Sequence, residues 1–175
     1  LKREETELER LTPEQVEQFL QFFAGLPKRF EIKMTGGEPF AFRGFMDRIV
    51  PGLIERTPHT ISVLTNLSAP LSLIERFATL TQGRLGVVSA SLHLEFTSPE
   101  SFVEKAVLLR AKMDPRSHLT INTVLVPGRL SAVLAARDIV EQAGLKLFPQ
   151  IMKIDGGTAS YSDEDQAMIA SLVGE

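Results

Sequence analysis

Thr35-Gly36-Gly37-Glu38-Pro39 is the first segment of the sequence with the means to do chemistry. It closes a hydrophobic run with two adjacent glycines, which weaken a strand because they add entropy to the unfolded chain and pack against nothing. Their use lies in letting something approach the backbone closely, with the Glu38 carboxylate beside them as an acceptor for a cation. As a residue at the mouth of a site, Glu38 should contribute little to the core. An ordinary strand-to-loop turn closed by Pro39 accounts for the same five residues, so the other polar residues have to decide.

Those residues recur at the ends of hydrophobic runs. Thr65 and Asn66 end the segment 59–65 and its first loop residue, and Ser89, Ser91 and His93 alternate along 85–93. Thr120 and Asn122 alternate with Leu119 and Ile121, and Gln150 lies near the end of 145–151. Successive strand residues point to opposite faces, so each run carries a polar face toward its carboxyl end. Lys33 shares a face with Thr35 and reads as a strand-edge charge. His59 and His118 each begin a run and read as solvated turn residues. Three scattered histidines do not make a metal site.

The elements that must position these residues alternate throughout. Thr12-Pro13-Glu14-Gln15 has the form of a capping box with proline in the first turn, and Val16, Phe19, Leu20 and Phe23 follow at helical spacing up to Gly25. Strands are expected at 29–35, 59–65, 85–92, 118–126 and 145–151. Helices are expected at 44–56 with an interruption at Pro51, near 69–80, from Ser98 with Phe102, Ala106, Leu109 and Met113 on one face, at 129–144, and from Ser162 and Asp165 to about Leu172. Strict alternation implies right-handed βαβ units and a parallel sheet, with ligands at the carboxyl ends of the strands. A doubly wound sheet, buried on both faces, would read as nearly continuous Val, Ile and Leu. The polar faces favour a partial (β/α) barrel with a ligand-filled lumen.

The 175 residues form one domain, large enough for a real core, with 43% hydrophobic and 23% charged residues. A net charge of −3 provides no basic footprint for nucleic acid. No apolar run approaches the roughly 18 residues of a membrane span, and the charged start lacks a secretory core, so the cytoplasm is the expected compartment. There is no cysteine, which excludes disulfides and thiolate-held metal within these residues. The chain begins with Leu1 and reads as an excerpt of something longer.

Thr35-Gly36-Gly37-Glu38-Pro39 at one strand end, Thr65-Asn66 at the next and Ser89-Ala90-Ser91-Leu92-His93 on the third resemble the radical S-adenosylmethionine enzymes, across essentially the whole chain. The resemblance implies a six-stranded partial barrel with five of its strands present here. It implies that Thr35, Gly36, Gly37, Glu38 and Pro39 hold the methionine end of S-adenosylmethionine, the ammonium meeting backbone carbonyls and Glu38. It implies further that Asn66, Ser91 and Asn122 lie near ribose and carboxylate, and that His93 faces ribose or substrate. In such a family a four-iron four-sulfur cluster donates an electron to the sulfonium. This releases a 5′-deoxyadenosyl radical that abstracts hydrogen from a substrate, so a reductant and a small-molecule or peptide substrate are implied partners.

The chain departs from the family in one respect. Family members hold the cluster on three closely spaced cysteines after the first strand, and this chain contains none. The expectation is that the first strand and the cysteines precede Leu1, residues 1–11 leading from that loop, and that the 175 residues alone are inactive. The strand at 29–35 would then present a free edge, partly protected by Glu31 and Lys33, through which the chain could self-associate. The alternative is a cluster-free domain that binds a nucleoside or a protein partner on the same scaffold.

Overall fold

The computed structural model describes residues 11–173. Residues 1–10, which the sequence reading leads out of a cluster loop, lie outside the described residues.

Helix α1 (Pro13–Ala24) opens with the expected capping box: Gln15 N–H donates to Thr12 Oγ1, and Thr12 N–H donates to Gln15 Oε1 at 2.7 Å. Five strands follow, β1 (Glu31–Met34), β2 (Thr60–Thr65), β3 (Leu85–Ser91), β4 (His118–Leu125) and β5 (Leu147–Ile151). Between and after them run α2 (Val50–Arg56), α3 (Leu71–Leu80), α4 (Pro99–Lys112), α5 (Leu130–Gln142) and α6 (Asp163–Val173). All five strands are parallel and adjacent in chain order, β1-β2-β3-β4-β5.

That order decides how the layers form. Right-handed crossovers that always advance by one strand send every connecting helix to the same side of the sheet, whereas a doubly wound sheet reverses at a switch point. One core results, in which Ile32, Val63, Val88, Ala90 and Ile121 from the strands meet Leu53, Ile74, Phe77, Phe102 and Val133 from the helices. The other face carries Lys33 and Gln150, both exposed, and Ser89, Ser91, Thr120 and Asn122, all half-buried. The alternation read from the sequence is the alternation observed. β1 and β5 form the edges of the sheet, each with one neighbour. Among the described residues no helix is long and apolar enough to cross a membrane.

Three features differ from the sequence expectation. The helix at 44–56 is disturbed before Pro51 rather than at it. Phe45–Ile49 forms a single π-helical turn in which Val50 N–H donates to the Phe45 carbonyl, and Pro51 then occupies the first turn of α2. Proline's missing N–H costs nothing there. A small antiparallel hairpin, β6 (Lys153–Ile154) and β7 (Gly157–Thr158), follows β5. Its turn residues Asp155 and Gly156 have φ of 42° and 80°, the left-handed pair that a two-residue hairpin requires.

The third is His59, which is fully buried rather than solvated. Its Nδ1 accepts the Phe30 N–H at 3.1 Å, so the ring proton sits on Nε2, 2.8 Å from the Phe23 carbonyl. The end of α1 and the approach to β1 thus close over it. Arg84 backs the same corner, donating to the carbonyls of His59 and Thr57. Burial, followed by the charge of Arg29, holds its guanidinium below the usual arginine range.

Candidate functional site

The carboxyl ends of β1 and β2 are tied together through Glu38. Its Oε1 accepts the Thr65 hydroxyl at 2.8 Å and the Phe40 N–H at 3.3 Å, while Oε2 accepts the Asn66 N–H at 2.6 Å. The bond to Phe40 makes Glu38 the N-cap of a short 3₁₀ turn (Pro39–Ala41), with Pro39 buried in its first position. An ionised carboxylate has about four acceptor sites. Three are used, and the one left is on Oε2.

Gly36 and Gly37 precede it with φ of 96° and 57°, and a Cβ built on either would meet nothing within 4 Å. Backbone torsion therefore requires these glycines, not the approach of another part of the protein, and the space beside them is open. Thr35 and both glycines are exposed.

Backbone strain occurs in the loop after β2. Leu67 is buried yet has φ of 53°, a conformation that costs a non-glycine residue roughly 1–2 kcal/mol. Its N–H donates to Thr65 Oγ1 at 3.0 Å, and its carbonyl accepts Lys105 Nζ from α4 at 2.8 Å. Asn66, between Thr65 and Leu67, turns its Oδ1 back to the Ser68 N–H at 2.8 Å. Strained backbone that its surroundings hold in place concentrates at ligand sites. Lys105 was not singled out from the sequence, since a helical lysine 38 residues from its acceptor gives no local signal.

On β3 and β4 the register sets Ser91 opposite Asn122 and Ser89 opposite Thr120. The Asn122 side chain donates to Ser89 Oγ at 2.9 Å and accepts from Gln150 Nε2 at 3.3 Å, a polar ladder across the open face. Asn122 is thus committed to the strands beside it, and no hydrogen bond among the described residues joins this ladder to the Glu38 network.

His93 lies past the end of β3, exposed, on the wall of a cavity of about 340 Å³ between the ends of β3 and β4. Leu92, Leu94, Val124, Val126 and Val133 supply the apolar lining, with Glu95, Gly128 and Arg129 at its polar side. The volume is at the small end of the range for ligand pockets. Arg129 and Glu95 approach to 3.8 Å with side chains 65% and 37% exposed, a pairing that contributes little in water. Arg129 was not singled out either, although Pro127-Gly128-Arg129 at a strand end offered the signal.

Among the described residues no group of three or more His, Cys, Asp or Glu could hold a metal ion. The arrangement offers an anionic acceptor with free space beside it, a polar strand face and an apolar cavity, all toward the carboxyl end of a parallel sheet. Comparison of the sequence with protein-family models and with curated proteins gave no match.

Proposed function

We propose that this chain is the S-adenosylmethionine-binding core of a radical S-adenosylmethionine enzyme, on a sheet that would form part of a β/α barrel. The observation that carries the reading is Glu38: a carboxylate fixed by Thr65 and Asn66, with one acceptor site left over, beside two glycines that leave open space. A methionine ammonium is a compact cation with donors for that acceptor and for nearby backbone carbonyls.

The rest of the edge suits the rest of the ligand. Neighbouring strands lie about 4.8 Å apart, so the space between the ends of β3 and β4 is about 12 Å along the edge from β1. An extended amino acid–nucleoside conjugate spans such a gap. Its base would enter the apolar cavity beside His93, passing the Ser91 hydroxyl and the amide hydrogens that Asn66 and Asn122 do not use within the protein. Chain-order topology supports a barrel more than a doubly wound sheet, and the polar open face is what a lumen would present.

The iron–sulfur cluster such an enzyme needs does not fit the residues present, because none is cysteine. No step through a cluster is derived from this chain, whose contribution is to bind, orient and shield the ligand. The same lack of cysteine favours a second reading, a cluster-free nucleoside-binding domain on the same sheet. The edge of β1, which has one neighbour among the described residues, offers a place for self-association.

Calorimetric titration of the chain with S-adenosylmethionine and with adenosine separates the two readings. Binding S-adenosylmethionine at least about tenfold more tightly than adenosine is expected if the ammonium bond to Glu38 forms. Equal affinities would leave the nucleoside-binding reading, and binding of neither would remove both.

A further inference from the structure

The cavity at the ends of β3 and β4 is shaped by residues that do not line it. All its lining residues lie between Leu92 and Val133. The backbone at its polar side is nevertheless held by two side chains from the end of the described chain.

Tyr161 Oη donates to the Leu125 carbonyl at 2.6 Å and accepts the Met152 N–H at 2.9 Å. One hydroxyl thus bridges the last residue of β4 and the first residue after β5, where the sheet ladder has stopped. Three residues beyond Leu125, Gly128 N–H points at the Asp165 carboxylate, 3.2 Å and 3.1 Å from its two oxygens. Gly128 has φ of 74°, so the turn there is sharp, and it leads directly into Arg129 and α5. Asp165 is 5% exposed and has no basic partner among the described salt bridges. Its other bond, from Ser162 N–H, is long at 3.4 Å. A buried carboxylate is costly unless hydrogen-bonded, and its principal donor belongs to the cavity wall.

We infer that Asp165 and Tyr161 are positioning residues, a latch by which α6 and the segment before it fix the β4–α5 turn and hence the geometry of the cavity. The inference rests on the reading of that cavity as a ligand site only for its effect on binding; the latch itself is a property of the loop. With the latch made, Gly128 and Arg129 are held in place before ligand arrives. With it broken, the turn samples other conformations, and a ligand must order it on binding, which weakens affinity.

The test measures amide hydrogen exchange by residue, together with titration by S-adenosylhomocysteine as a stable probe. Tyr161→Phe and Asp165→Asn each remove one charge or hydroxyl contact and keep the shape, whereas Asp165→Ala removes both oxygens. Ser171→Ala serves as the control, because it loses a hydroxyl bond within α6, from Ser171 Oγ to the Met168 carbonyl at 2.7 Å, and touches neither Asp165 nor Tyr161. Exchange at residues 126–131 is expected to accelerate about tenfold in Tyr161→Phe and Asp165→Asn, and more in Asp165→Ala, with β2 and β3 unaffected. Probe affinity should fall in the same order, while Ser171→Ala changes exchange only in α6.

Unchanged exchange at 126–131 in Asp165→Ala would overturn the latch, as would the same loop acceleration in Ser171→Ala. If the unaltered chain takes up no probe while the loop still loosens on mutation, the S-adenosylmethionine reading fails and the latch stands.

Discussion

Glu38→Gln is expected to weaken S-adenosylmethionine binding by about 10- to 150-fold and to destabilise the fold by about 1–3 kcal/mol as well. The first figure follows from losing a charged partner for the ammonium, roughly 1.5–3 kcal/mol. The second comes from the structure alone, for a carboxylate at the mouth of a site reads from the sequence as nearly neutral for stability. Glu38 accepts three bonds, from Thr65, Phe40 and Asn66, and an amide replaces one of the accepting oxygens with a donor. At least one of these donors then faces an N–H, and an unpaired group that is partly buried costs about 1–3 kcal/mol. Urea denaturation measures the stability loss, and titration well below the unfolding midpoint measures affinity. Lost stability with unchanged affinity would mean that Glu38 only joins β1 to β2.

The second large effect lies at the other end of the sheet. His59→Ala is expected to destabilise the fold by about 3–5 kcal/mol, through the space left by a fully buried ring and an orphaned Phe30 N–H. The imidazole bonds both the Phe30 N–H and the Phe23 carbonyl and so joins the end of α1 to the approach to β1, while the carbonyl also keeps the Leu26 N–H at 3.3 Å. Ligand affinity below the unfolding midpoint should not change, since the amino ends of parallel strands position no part of the site. Urea denaturation that shows a loss under 1 kcal/mol would mean that water enters the space and accepts the Phe30 N–H.

His59 and His118 show where the sequence stops being informative. Both stand where a strand is expected to begin, and both read as solvated. His118 is exposed, whereas His59 is buried by partners 29 and 36 residues earlier in the chain. Alternation along a strand and caps at a helix start are local, so Ser89, Ser91 and Asn122 on the open face and the Thr12–Gln15 box could be read directly. The glycine pair was also legible, but its reason was not: φ of 96° and 57° sets the requirement, rather than the nearness of another chain segment.

The site divides along the same line. Glu38 and Asn66 were legible as polar residues at strand ends, and the structure links them directly. The side chains that hold the neighbouring strand-end loops, Lys105 on the Leu67 carbonyl and Asp165 on Gly128, come from 37 or 38 residues further along the chain. The π-helical turn at Phe45–Ile49 had one local sign, Pro51. Proline marks that a helix is disturbed, whereas packing against the core decides in which turn. The hairpin at Asp155-Gly156 carried a recognisable turn dipeptide.

The central claim is that the edge from Gly36 to the cavity beside His93 is one continuous ligand site. The measurement that tests it most directly is an X-ray crystal structure of the chain with S-adenosylhomocysteine bound. The account predicts the amino group within hydrogen-bonding distance of Glu38 Oε2 and the base inside the cavity lined by Leu92, Val124 and Val133. Ligand density elsewhere on the protein, or a base in the cavity with the amino acid end turned away from Glu38, would contradict it.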